Sequence, residues 1–296
     1  MDRPETVRAR IDSVAQLQEV VGAMRSLAAM RMQQASESLD GIRRYAAIVA
    51  AGLAQALRLA GGAAPPRRGG RRALLVFSAE HGFVGAYAET LAEAARSDPP
   101  DLLLAVGTKG VQSLTEAGLT PDWSLPMASH AGGVEDLARR IAAELARRLG
   151  TGAFTRLDLL FGRIGTGGGW QPLRRTLLPP DFSDLPPPRG STAPLHHLPA
   201  AALLDRLIEE RLLADLALAA TESLAAENAA RLAAMTTAGD NIDRKLAELQ
   251  GQERILRQAQ ITEELLDVVN GAELLFETEE EVRRRPPPGG AGAAAP

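Results

Sequence analysis

The chain begins and ends in alanine-rich, almost proline-free segments with apolar residues at helical spacing, roughly residues 2–60 and 201–278, while the middle follows another rhythm. This constrains the fold more than any other feature. Each long amphipathic helix must bury its apolar stripe, and the other helix is the nearest surface on offer. In the first segment Val7, Ile11, Val14, Leu17, Val21, Met24, Ala28, Met32, Ala35 and Leu39 follow one another mostly at alternating steps of three and four, which is the seam of a coiled coil. A helix of about 55 residues would run ~80 Å, far more than a compact domain needs. In the last segment Met235, Ile242, Leu249 and Leu256 recur in heptad register. Gly251 and Glu253 interrupt that row, and a glycine inside a helix costs about 1 kcal/mol relative to alanine, so this stretch is expected to be the weakest of the pair.

The middle reads differently. Ala73–Phe77, Asp101–Val106 and Arg156–Ile164 are short buried-strand runs, with Leu173–Leu178 a fourth. Helical patterns near 84–96, 109–118 and 134–149 separate the first three, the rhythm of a parallel, Rossmann-like α/β layer. Gly165–Gly169 is placed to turn the third strand into the fourth as a hairpin. The expected organisation is an N-terminal coiled-coil helix over 1–60, a basic Gly/Pro linker over 61–72, an inserted α/β domain over 73–180, a proline-rich connection over 181–200, a C-terminal coiled-coil helix over 201–278 and a disordered tail over 279–296.

Composition narrows the function. Hydrophobic residues make up 45% of the chain but aromatics only 3%, which favours close contacts between helices bearing small side chains. A net charge of −4 without a basic stripe gives no footprint for bulk nucleic-acid binding. With no cysteine, disulfides and thiolate metal sites are excluded, and an intracellular location fits. The start, Met1-Asp2-Arg3-Pro4, lacks the apolar core of a signal peptide, and the uncharged stretch Tyr45–Leu57 is shorter than the ~20 residues of a membrane span. The expectation is a soluble chain with no direct membrane span. Val106-Gly107-Thr108-Lys109-Gly110 lacks the spacing of a phosphate loop and reads as a strand-end turn. His196-His197 has no further ligand at useful spacing and reads as linker. Neither a catalytic group, nor a cofactor site, nor a metal site is expected.

Two segments resemble the gamma subunit of F-type ATP synthases. Residues 10–36, RIDSVAQLQEVVGAMRSLAAMRMQQAS, are similar without a gap to the family's N-terminal helix, matching at Arg10, Ile11, Ser13, Val14, Ala23, Met24, Ala28 and Ala29, with Arg25 and Arg31 where lysine is usual. Ile261-Thr262-Glu263 through Gly271-Ala272 looks like the family's C-terminal signature, preceded by Arg257-Gln258-Ala259 and by the run Glu222–Arg231. Ser78–Tyr87 is similar to its central strand-to-helix element. Leu17 and Glu19 depart from the pattern, as does the length of chain beyond Ala272; these point to a divergent member or one from an alternative F-type ATPase.

The resemblance implies an antiparallel coiled coil of the terminal helices inside a hexamer of alpha and beta subunits. The inserted domain would meet the epsilon subunit and the membrane c-ring. As a rotor, such a chain would couple ion flow to ATP synthesis or hydrolysis on beta while catalysing nothing itself. It would be a peripheral protein at the cytoplasmic face of the bacterial plasma membrane. Met24, Arg25, Arg31, Arg231, Arg257 and Gln258 become candidates for rotor–stator contacts, and Ile11, Val14, Val21, Met235, Ile242, Leu249 and Leu256 form the seam. A shaft turning in a socket is expected to avoid strong apolar anchors on its outer face. The competing readings are a gamma-derived coiled-coil scaffold that no longer couples, and a nucleotide-binding enzyme built on the α/β segment.

Overall fold

In the structure, a computed structural model, residues 4–60, 70–183, 185–187 and 195–284 are described, with side chains up to residue 270. Most of the expected linker, part of the proline-rich connection and the last twelve residues of the expected tail lie outside the described residues. The chain divides into two compact units, Met1–Glu19 with Asp240–Pro296, and Val20–Gly239. Helix α1 (Pro4–Leu59) and helix α5 (Ala200–Arg284) each contribute to both.

Helix α1 opens on Pro4, whose missing N–H is no loss in a first turn, followed by Glu5, and it closes with Arg58 in its last turn. Both charges complement the helix dipole. Helix α5 runs six residues past the end expected from the apolar pattern. The run Glu277–Arg284 consists largely of good helix formers.

The two helices are antiparallel partners. In the smaller unit Arg8 lies 3.9 Å from Glu253 and Gln18 donates to Asp243 at 2.5 Å. In the larger one Arg43 meets Glu222 at 3.1 Å, Tyr45 donates to Glu210, and the Leu207 side chain packs 3.5 Å from where a Cβ would sit on Gly52. As numbers rise on α1 they fall on α5, as antiparallel pairing requires. Val7, Ala28, Ala35 and Leu39 of the first helix's stripe are buried, as are Val49, Leu53 and Ala56 further along α1. Leu17 is 56% exposed; at its level the two helices are joined instead by the neighbouring Gln18. Glu253 does not merely break the seam, because it is half-buried and faces Arg8.

The larger unit holds a five-stranded sheet in the order β3–β2–β1–β4–β5. Strands β1 (Arg72–Phe77), β2 (Leu102–Val106), β3 (Trp123–Leu125) and β4 (Arg156–Ile164) are parallel, and β5 (Trp170–Leu178) returns antiparallel to β4. The glycine hairpin closes that return, with Gly165 N–H donating to Gly169 O at 2.7 Å. Helices α2 (Tyr87–Arg96), α3 (Thr108–Glu116) and α4 (Val134–Gly150) supply the layers. Strand β3 was not expected; three half-exposed residues at a sheet edge are too few to show a period.

Both faces of the sheet's centre are covered, which explains why Ala73–Phe77 of β1 and Leu102–Val106 of β2 read as unbroken apolar runs. Leu75, Phe77, Leu104, Leu159 and Phe161 pack with Leu137, Ile141 and Leu145 of α4 and Leu216, Ala220 and Leu224 of α5. Leu74, Val76, Leu103 and Leu160 pack with Tyr87, Leu91 and Ala95 of α2, Leu114 of α3, and Ala226 and Ala230 of α5. Helix α5 thus serves both cores of the larger unit.

Two glycines report on this packing from opposite sides. A Cβ at Gly162 of β4 would lie 2.6 Å from the Tyr87 ring. That ring is fully buried, sits 4.5 Å from Trp170 and is tied through its hydroxyl to Ser223, so it has nowhere to retreat. Gly162→Ala is expected to destabilise the chain by about 1–3 kcal/mol in chemical denaturation. Gly251 of α5 has open space where its Cβ would point, so Gly251→Ala should raise the stability of that helix by up to about 1 kcal/mol, seen as a higher melting temperature. A fall there would mean that the glycine serves a contact the single chain does not display.

Candidate functional site

The most polar buried stretch of the molecule lies on α5, where Thr221–Asn228 is buried without a break. Three carboxylates on this helix, Asp215, Glu222 and Glu227, are buried and meet the sheet in succession. Asp215 accepts from Arg175 of β5 at 3.1 Å and from Arg211 at 2.8 Å. Glu222 accepts from Arg43 of α1 at 3.1 Å, and Arg163 of β4 stands 3.6 Å away. Glu227 accepts from Arg231 at 2.7 Å and from the backbone N–H of Glu80, just beyond β1, at 3.4 Å. Burial pushes the Glu227 carboxyl above its ordinary range, against the opposing pull of Arg231.

Strand order reverses between the paired strands β1 and β4, and in open α/β sheets the crevice beyond the carboxyl ends of such strands is the usual ligand site. Here α5 fills it. Ser223 Oγ donates to Phe77 O at 3.2 Å and meets the Tyr87 hydroxyl at 2.9 Å. Arg231 donates to His81 O and Gly82 O at 3.2 and 3.3 Å. The nearby start of α3, where backbone N–H groups could cradle a phosphate, receives the chain's own carboxylate: Glu80 accepts from Thr108 N–H at 3.0 Å, from Thr108 Oγ1 at 2.8 Å and from Met127 N–H at 2.7 Å. Gly107 supplies the turn before α3, with φ at 110° and Ser78 O only 2.5 Å from where a Cβ would be. A hollow of about 690 Å³ in the larger unit is mainly apolar, and at its rim Arg175, Arg211 and Asp215 are engaged with one another. Among the described residues no group of side chains could hold a metal ion.

The candidate contact residues separate. Arg25, Arg257 and Gln258 are exposed, and Met24 and Arg31 are half-buried on α1. Arg231 is turned inward in this chain. It is 8% exposed, and its guanidinium is used up on Glu227, Asn228 and two carbonyls of the loop after β1. Helical periodicity could not show this, because the loop that buries it is some 150 residues away in the chain. Of the seam residues, Leu249 and Met235 are buried, while Ile11, Val14, Val21, Ile242 and Leu256 are half-buried; Val14 and Leu249 line one hollow in the smaller unit. The expectation of few apolar groups outside is not met. Ile255, Ile261, Leu265, Leu266, Val268 and Val269 on α5 all have about half or more of their area exposed. By the register of the pair, this segment extends past the first residue of α1.

A family model described as ATP synthase matches residues 4–275. The chain belongs to the gamma-chain family of ATP synthases. It is 29% identical to the ATP synthase gamma chain of Granulibacter bethesdensis, over 92% of this chain and 99% of that one, and 28% identical to that of Paracoccus denitrificans, over 90% and 97%. Its fold is that of a chain of the Euglena gracilis mitochondrial ATP synthase, with a TM-score of 0.61 and 13% identity over 98% of this chain and 99% of that one. A chain from the central stalk of the Tetrahymena thermophila mitochondrial enzyme matches with a TM-score of 0.54 and 19% identity, over 74% and 99%. A gamma chain is the rotor subunit of the central stalk and is not itself an enzyme, in keeping with a crevice filled by α5. Among the described residues no helix is long and apolar enough to cross a membrane.

The burial of Arg231 separates it from the exposed arginines in a measurable way. Arg231→Leu is expected to lower the unfolding free energy by about 3 kcal/mol, because it strands Glu227 without its partner. Arg25→Ala and Arg257→Ala should each change it by less than about 0.5 kcal/mol. Urea unfolding of the purified chain distinguishes the two classes.

Proposed function

We propose that this chain turns inside a hexamer of alpha and beta subunits, coupling ion flow through a membrane c-ring to ATP synthesis or hydrolysis on beta, with the epsilon subunit bound to its α/β body. Its place would be the cytoplasmic face of the bacterial plasma membrane, as a peripheral subunit. The observation that carries this reading is the antiparallel pairing of α1 with α5 in a chain whose α/β body has its crevice closed by that same α5. With that crevice closed, such a body acts through its outer surfaces. A turning subunit changes affinities on beta only by contacting its conformations unequally, so function belongs to outer faces: Met24, Arg25 and Arg31 on α1, and Arg257 and Gln258 on α5. The exposed apolar run of α5 departs from what a freely turning shaft is expected to show, and as an apolar patch it marks a protein interaction surface of its own. In this division of labour the helices of 1–60 and 201–278 carry contact with the hexamer, and 73–180 carries contact with epsilon and the ring.

The reading is tested by co-expressing the chain with the alpha and beta subunits of its own gene set. Alone it should hydrolyse no ATP. It should co-purify with the hexamer, stimulate its turnover and, in membranes of a strain lacking gamma, restore ATP-driven ion pumping. Failure to join the hexamer refutes the proposal, and assembly without restored pumping favours the non-coupling scaffold.

A further inference from the structure

We infer that Glu222 is a positioning residue for coupling: its carboxylate locks the α/β body to both long helices so that the body cannot slip when torque passes through it. The inference rests on the rotor reading and adds the residue through which the load is shared. Glu222 lies on α5 with its side chain 5% exposed, and one oxygen, Oε1, is the meeting point of two guanidiniums. Arg43 reaches it from α1 at 3.1 Å, and Arg163 from β4 at 3.6 Å. Asp40 stands 3.8 Å from Arg43, one turn earlier on α1, and steadies it from the solvent side. Both helices and a central strand of the sheet therefore converge on a single atom.

The other two buried carboxylates do less. Asp215 joins α5 to β5, and Glu227 joins α5 to the loop after β1, so each binds the body to one helix. Apolar contacts between α1, α5 and the sheet are non-directional and permit sliding by fractions of a side chain. The hydrogen bond from Arg43 to the buried carboxylate does not, since it weakens steeply within a few tenths of an ångström and a few tens of degrees, and the Arg163 ion pair at 3.6 Å sets a second charge against the same oxygen. Rotating the body about the helical pair would pull Arg163 off Oε1, while sliding α1 along α5 would pull off Arg43. The buried carboxylate left behind would then be uncompensated, which makes either movement costly.

The test uses the whole complex in sealed vesicles, with ATP hydrolysis and ion uptake measured together at equal rotor content. The variants are Glu222→Gln, Arg43→Gln and Arg163→Gln, with Arg206→Gln on the exposed face of α5 as control. The expected result is a several-fold fall in ions moved per ATP in all three, with hydrolysis sustained, because the hexamer still grips the helices while the body slips. The control should match the wild type. A merely structural role would lower assembled complex, hydrolysis and pumping together and leave the ratio unchanged; that outcome overturns the inference. If Glu222→Gln does not assemble, the arginine variants decide, since both side chains are 48% exposed and neither is needed to fill a core. Wild-type complex without coupling would sink the rotor reading itself, whereas coupled wild type with fully coupled variants sinks only the role of Glu222.

Discussion

The architecture depends on burying one helix, α5, against a sheet while keeping charges on it. Its middle turns contribute Leu216, Ala220 and Leu224 to one core and Ala226 and Ala230 to the other, yet Asp215, Glu222 and Glu227 sit among them, out of solvent. Burying a carboxylate is tolerable only when partners replace the lost water. Here the partners come from β5, β4, α1 and the loop after β1. The need to satisfy these carboxylates fixes rotation and height of the helix on the sheet, which apolar contact alone leaves loose.

The same stretch accounts for the absence of a ligand crevice in a fold that usually has one. Seven residues, Phe77 to Phe83, link the end of β1 to the turn before α2, and their carbonyls and N–H groups are met by Ser223, Glu227 and Arg231. The start of α3 is met by Glu80. Groups that would bind a dinucleotide in a free-standing domain are spent on holding the domain to its own helix. A body joined in this way acts through its surface, as a gamma chain must.

Alanine gives the paired helices their closeness. Ala28, Ala35 and Ala56 are buried almost completely, and small side chains allow helix axes to approach. Where the apolar row fails, polar contacts substitute: Gln18 with Asp243 beside the exposed Leu17, and Arg8 with Glu253. Towards the end of α5, Ile261, Leu265 and Val268 remain exposed among the described residues.

Periodicity alone determined the two long helices, the order of strands and helices between them except the three-residue β3, and the glycine hairpin, because each is a local pattern of apolar spacing and turn residues. The motifs at 10–36 and 257–272 determined the family. What only the tertiary structure decided are the partners of the charges. Arg231 and Arg257 look alike as residues on one helix, but the loop after β1 folds over the first and leaves the second in water. Glu222 and Glu227 likewise look like members of a solvated helix face until the sheet is placed against them. Local spacing records which face of a helix is apolar. It carries no record of which distant segment will cover a charged position, since that is set by contacts between residues far apart in the chain, 40 positions for Arg175 and Asp215 and 179 for Arg43 and Glu222.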